Sequence, residues 1–142
     1  MKDCIFCKII KNEIPCYKIY EDDNFLAFLD IQPIAKGHTL VIPKKHYNAF
    51  VETPAELLSE MIKVVQKIGL AIKKSTNADG FNIGLNNGPA AGQIIMHTHF
   101  HIIPRFNNDG LHTWPSVKCS EEEFKKISED IKNQAKLDKN NL

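Results

Sequence analysis

Three histidines recur at every second position in H-T-H-F-H-I-I-P, residues 97 to 104, and this alternation constrains the backbone more than any other feature of the chain. Successive side chains of an extended strand point to opposite faces, so His97, His99 and His101 share one face and Thr98, Phe100 and Ile102 the other. A helix would place His97 and His101 together and turn His99 nearly opposite. The neighbours Ile94, Ile95, Phe100, Ile102 and Ile103 favour the strand. Imidazole serves as nucleophile, proton carrier or metal ligand near neutral pH, so a strand presenting a row of imidazoles predicts a functional surface.

The rest of the chain supplies partners for that strand. Y-K-I-Y, E-D-D-N and F-L-A-F-L-D read as strand, turn and strand, and H-T-L-V-I-P as a third strand. Residues 4 to 11 form a short helical turn, with Ile5, Phe6 and Ile9 on one side, which Pro15 ends. Thr53-Pro54-Ala55-Glu56 has the pattern of a helix start: a capping threonine, proline at the first helical position and glutamate three residues after the cap. Leu57, Leu58, Met61, Ile62, Val65, Ile68, Leu70 and Ile72 then keep helical periodicity to about Ser75, and this aliphatic stripe is core. Asn77-Ala78-Asp79-Gly80 makes a turn, F-N-I-G-L-N a fourth strand, and N-G-P-A-A-G-Q a glycine-rich connection into the histidine strand. Antiparallel strands in runs with few helices give an α+β domain.

A length of 142 residues suits one domain spanning 1-142, with enough core to fold without staples. No stretch approaches the roughly 20 apolar residues of a membrane span, and the N-terminal M-K-D-C-I-F-C-K-I-I lacks a secretory pattern, so the cytoplasm is expected. The cysteines are then read without disulfides. A net charge of +1 leaves no electrostatic footprint for a polynucleotide, which excludes nucleic acid as the expected partner. K-C-S-E-E-E-F-K-K-I-S-E-D-I-K-N-Q leads with acids and follows with lysines, the order that suits a solvated helix over about 120-136. Cys4-x-x-Cys7 has the spacing of a zinc knuckle; a redox pair or two buried thiols are the other readings, and Cys16 and Cys119 are free cysteines.

The histidine run, with two apolar residues after it, resembles the signature of the histidine triad (HIT) family. D-C-I-F-C-K-I-I-K-N-E-I-P, L-A-F-L-D-I-Q-P, G-H-T-L-V-I-P-K-K-H and A-G-Q-I-I-M resemble further family segments in the same order, covering about residues 3-105. The likeness is nearest to the bacterial, zinc-containing branch of nucleotide-binding proteins and hydrolases. It implies an antiparallel sheet with one long helix and a short N-terminal helix, assembled as a homodimer.

The resemblance also implies a chemistry. His99 would be the nucleophile toward the α-phosphorus of a nucleoside phosphate derivative, its other ring nitrogen donating to a fixed acceptor. His101 would bond a phosphate oxygen or the departing group, and His38 would border the site and support the hydrogen-bond network; a core histidine satisfied by a carbonyl is the plain alternative for His38. Asn86 and Gln93 bracket the glycine-rich loop and match phosphate-contacting positions. Asp30 matches an acceptor of ribose hydroxyls, and Phe6, Ile9, Ile14, Phe28 and Ile31 match positions around the base, where simple core packing competes. His46 and His97 match the remaining ligands of a structural Zn2+ site completed by Cys4 and Cys7. The implied function is release of a nucleoside monophosphate, AMP first, from a phosphoramidate or dinucleoside polyphosphate.

Two departures from the family pattern stand out. Ile94 occupies a position where many relatives carry serine or threonine, and Thr98 is more polar than the usual residue between the first two histidines. The tail beyond Arg105, with Trp114, also aligns poorly with the best-known relatives. Ile94 favours one competing function, a nucleotide-binding regulatory protein with little turnover. A second is a zinc hydrolase whose three triad histidines hold a catalytic metal, against which Cys4, Cys7 and His46 argue.

Overall fold

The computed structural model describes residues 4–112 and 114–137. They fall into two compact units, one ending at Asp109 and one beginning at Gly110. In the first, α1 (Ile5–Ile10), β1 (Lys18–Glu21), β2 (Phe25–Leu29) and β3 (Thr39–Pro43) precede the long helix α2 (Ala55–Thr76), and β4 (Gly80–Gly84) and β5 (Phe100–Arg105) follow it. The strands form one antiparallel sheet in the order β1-β2-β3-β5-β4, so the architecture is α+β.

Alternation along the strands separates two cores. Phe25, Ala27, Val41 and Ile102 face α2 and pack with its Met61, Val64, Val65, Ile68 and Ile72. Leu26, Phe28, Leu40 and Ile42 face the other way and pack with Phe6 and Ile9 of α1. β2 is thus covered on both faces, which is why F-L-A-F-L is a continuous apolar run. Burying a side chain such as Met61 or Ile102 stabilises the fold by roughly 1.5–3 kcal/mol. Leu40 lies opposite His101, so the triad's strand shows its histidine to the α1 face, while Ile102 faces α2.

Helix α2 runs one residue beyond the expected Ser75 and stops at Asn77, whose left-handed φ of 54° lets the Ala78 N–H fold back onto the Lys73 carbonyl (3.1 Å). Its buried stripe is Met61, Val64, Val65, Ile68, Gly69 and Ile72, whereas Ile62 and Leu70 are exposed, off the face the sequence assigned them. A Cβ on Gly69 would lie 2.7 Å from the Phe81 ring, so this glycine allows the helix to approach β4.

Two local expectations are corrected. Pro15 does not end α1: Asn12, at φ 59°, already turns the chain, with its own N–H on the Ile9 carbonyl and that of Glu13 on the Lys8 carbonyl. Thr53 does not cap α2. Its hydroxyl bonds the Ala49 carbonyl (3.1 Å) and the Thr98 hydroxyl (2.8 Å), and Pro54 takes the cap position without a side-chain bond. Buried acceptors in the tertiary structure outcompete the local cap.

In the second unit, α3 spans Glu121–Leu137. Here a capping box does form: the Glu123 N–H donates to Ser120 Oγ (3.2 Å) and the Ser120 N–H to Glu123 Oε2 (2.7 Å). Among the described residues no helix is long and apolar enough to cross a membrane.

Candidate active site and metal cluster

The ladder between β3 and β5 runs only from Thr39↔Ile102 to Val41↔Phe100. His97 and His99 therefore precede the strand that the spacing predicts for them, and only His101 lies within it. The reason is local. The Thr98 N–H donates to the Tyr47 carbonyl at 2.7 Å instead of joining the ladder, and the His99 ring bonds the His97 carbonyl. The three imidazoles still stay close, His99 and His101 with ring centroids 4.9 Å apart and His97 and His99 both edge-on to Phe6.

His97 turns toward the N-terminus. Its Nδ1 lies 3.5 Å from Cys4 Sγ and 3.7 Å from Cys7 Sγ, and His46 Nδ1 is 3.3 Å from Cys7 Sγ and 3.2 Å from His97 Nδ1. All four ligand atoms lie within 4.8 Å of one another. The outer ring nitrogens are committed: His97 Nε2–H donates to the Pro43 carbonyl (2.8 Å) and His46 Nε2–H to Asn48 Oδ1 (3.1 Å). Both Nδ1 lone pairs therefore face inward, onto each other and onto two sulfurs. Burial pushes the Cys7 thiol up, and the adjacent Cys4 raises it further, so two thiolates need a cation between them. Burial also holds His97 down to about 4, which keeps it in the neutral form a metal requires. Two inward imidazole lone pairs with two thiols form a donor set that fits zinc.

His99 and His101 turn elsewhere. His99 Nδ1–H donates to the His97 carbonyl at 2.6 Å, which leaves the Nε2 lone pair for chemistry. The tautomers of the next two rings follow from the network around them. The Ile34 N–H can only donate, so His38 Nδ1 (3.2 Å) accepts. His38 Nε2 then carries the proton and donates to His101 Nδ1 at 2.9 Å, so His101 Nε2–H is left as a donor. Asp30 Oδ2 lies 3.6 Å from His38 Nδ1, beyond a good hydrogen bond, and acts on this trio through its charge. Burial lowers His38, His99 and His101, the last to about 4 with further pressure from His99 and His38; Asp30 opposes the shift in all three. Neutral imidazoles result at pH 7. The rings of the triad thus serve three different partners, and no group of potential ligand atoms among the described residues joins all three.

The loop before the triad takes left-handed backbone at Gly88 (φ 89°) and Gly92 (φ 87°), where an L side chain would be strained. Asn86 Nδ2 donates to the Gly92 carbonyl across the loop (3.2 Å). Gln93 is buried, with Oε1 accepting from the Gly88 N–H (2.8 Å) and Nε2 donating to the Asn48 (2.6 Å) and Ile95 (3.1 Å) carbonyls. Its amide thus ties the glycine-rich loop to the Asn48 carbonyl in the loop after β3. Ile94, on the other hand, is 85% exposed.

Of the residues expected around a base and ribose, Phe6, Ile9 and Phe28 are buried in the core beneath α1, and Ile14 packs at its margin. Ile31 is 77% exposed. Asp30 is half-buried, and its Oδ1 accepts the Gln32 N–H at 2.8 Å. Sequence reasoning missed the groups that orient these rings, because most are main-chain: the Pro43, Tyr47 and His97 carbonyls and the Ile34 N–H. The side-chain groups are Asn48, whose Oδ1 holds His46, and Thr53, whose sequence pattern reads as a helix cap.

The HIT domain profile matches residues 11–108. The chain is 53% identical over 114 residues to an adenylylsulfatase of Arabidopsis thaliana, a match covering 80% of this chain and 57% of that one, so it spans little more than half of that relative. It is 44% identical over 135 residues to an adenosine 5′-monophosphoramidase of Schizosaccharomyces pombe, covering 94% of this chain and 98% of the other. Among solved structures, a Zn-bound histidine triad family protein of Mycobacterium smegmatis superposes with a TM-score of 0.76 at 43% identity, covering 82% and 85% of the two chains. By its domain match, its relatives and its fold, the chain belongs to the HIT family.

Proposed function

We propose that this protein is a nucleotidyl hydrolase that releases AMP from an adenosine phosphoramidate, or from a dinucleoside polyphosphate, through a nucleotidyl-histidine intermediate. The observation that carries the reading is the pairing of complementary tautomers: His99 Nδ1–H held on a carbonyl at 2.6 Å, and His101 Nδ1 accepting from His38 at 2.9 Å. One ring offers a lone pair at Nε2 and its neighbour offers a proton at Nε2. His99 Nε2 attacks the α-phosphorus, the bond from phosphorus to the leaving nitrogen or oxygen breaks, and the leaving group takes the His101 Nε2 proton. Water then attacks the phosphorus, gives a proton to His101, and frees AMP and His99.

The glycine-rich loop supplies backbone donors near the phosphate, with Asn86 and Gln93 fixing its shape. Asp30 accepts the ribose hydroxyls, and Ile14 and Ile31 flank the base above Phe6, Ile9 and Phe28. Cys4, Cys7, His46 and His97 hold zinc, which contributes a structural tie. The exposed edge at β4, where Ile83 is 45% exposed, supports assembly as a homodimer. Ile94, which has no hydroxyl to offer, favours a second reading as a nucleotide-binding regulatory protein with little turnover.

The deciding experiment incubates wild type and His99→Ala with adenosine 5′-phosphoramidate and with diadenosine tetraphosphate, following AMP release and trapping any covalent adduct. AMP release and a trapped adduct are expected from wild type alone, with His99→Ala still folded and binding AMP. Tight AMP binding by a wild type that turns over neither substrate would favour the regulatory reading.

A further inference from the structure

The loop after β3 and the triad are joined by a set of bonds that the proposed chemistry does not itself require. Three successive carbonyls of that loop, at Tyr47, Asn48 and Ala49, accept the Thr98 N–H (2.7 Å), Gln93 Nε2 (2.6 Å) and Thr53 Oγ1 (3.1 Å). Thr98 adds its hydroxyl, 3.3 Å from the Tyr47 carbonyl and 2.8 Å from Thr53 Oγ1. Thr98 is 1% exposed and Thr53 6%, so neither hydroxyl reaches bulk water. Valine fills the same volume without a hydroxyl to desolvate, so the threonine pair is consistent with a need for its bonds.

The peptide unit between His97 and Thr98 explains what those bonds hold. Its N–H is the group bonded to Tyr47 and its C=O is the group bonded to His99 Nδ1. A trans amide is planar with N–H and C=O pointing in opposite directions, so fixing one end fixes the other. Resting on the nucleophilic role proposed for His99, we propose that Thr98, buttressed by Thr53, is a positioning residue for the nucleophile. Its N–H holds the 97–98 peptide on the Tyr47 carbonyl, its hydroxyl donates to Thr53 Oγ1, whose own proton goes to the Ala49 carbonyl, and the peptide so held aims the His97 carbonyl that holds the His99 ring and its tautomer. Neither threonine touches the substrate.

The test compares Thr98→Val, Thr98→Ser and Thr53→Val in the full chain, each checked for folding by thermal melting. With adenosine 5′-phosphoramidate, kcat should fall about tenfold in both valine variants while KM stays within about twofold, and Thr98→Ser should retain the wild-type rate. The 15N spectrum of the imidazole rings should show His99 as a single Nδ1–H tautomer in wild type and Thr98→Ser, and as a mixture in the valine variants. The proposal is overturned by a folded Thr98→Val, or Thr53→Val if the former does not fold, whose His99 ring spectrum is unchanged; any rate loss would then mark the pair as packing alone. The spectrum does not depend on turnover. A wild type inactive on every substrate would refute the hydrolase reading, and the ring signals would still decide whether the hydroxyls position His99.

Discussion

His101 shows how one ring's surroundings set its work. Because His38 fills its Nδ1, it presents a proton from Nε2, so its removal should matter in proportion to the leaving group's need for that proton. His101→Ala is expected to slow hydrolysis of an adenosine alkylphosphoramidate at least tenfold more than that of an AMP ester with a nitrophenol leaving group, measured as kcat/KM for each. The same ring makes stability pH-dependent. Its folded value of about 4 lies below the ordinary 6.5, so as pH falls through 6.5 the unfolded chain binds a proton that the folded chain refuses until about 4. Stability is therefore fully present above pH 6.5 and is lost toward pH 4, by about 1–3 kcal/mol from this group with solvent screening at its half-buried ring. Urea midpoints measured from pH 7 to 4.5 should decline less steeply for His101→Asn than for wild type.

Among the elements, α2 approaches β4 closely where Gly69 meets the Phe81 ring. Alanine at position 69 would put a Cβ 2.7 Å from Phe81, so Gly69→Ala should destabilise by roughly 1–3 kcal/mol despite alanine's better helix propensity, and Phe81→Leu should recover part of the loss in melting temperature. β2, β3 and α2 were legible in the sequence because their periodicity reports burial directly, and burial is what shaped them. The start of β5 was not. His97 and His99 keep the two-residue spacing, yet the ladder ends at Phe100 because Thr98 bonds a loop fifty-one residues away in sequence. Thr53 carries a capping pattern and serves a tertiary bond instead, while Ser120 and Glu123 form their capping box with each other. The residues of the cysteine and histidine cluster could be named from family likeness, but the Pro43 carbonyl that orients His97 could not, since every residue has a carbonyl.

At the scale of the molecule, the cysteine and histidine cluster ties α1 to the loop after β3 and to the approach to β5. Purified protein should retain one zinc per chain by elemental analysis, and Cys4→Ser with Cys7→Ser should lose the metal and melt at least 5 °C lower, a shift that corresponds to about 1–2 kcal/mol for a domain of this size. Phe6 sits between those cysteines in sequence and edge-on to both His97 and His99, at 5.8 and 5.3 Å between ring centroids. Anchoring α1 therefore also seats an aromatic ring against His99. The cluster has a consequence for the order of assembly as well. Its ligands are separated by up to ninety-three positions along the chain, and His97 is the last of them to be synthesised. During translation Cys4 and Cys7 emerge first and wait as an incomplete pair until β3 and then the triad segment arrive. The segment that carries Cys4 and Cys7 is thus secured only once the triad segment has been made, and until then its thiols are open to oxidants or competing metals.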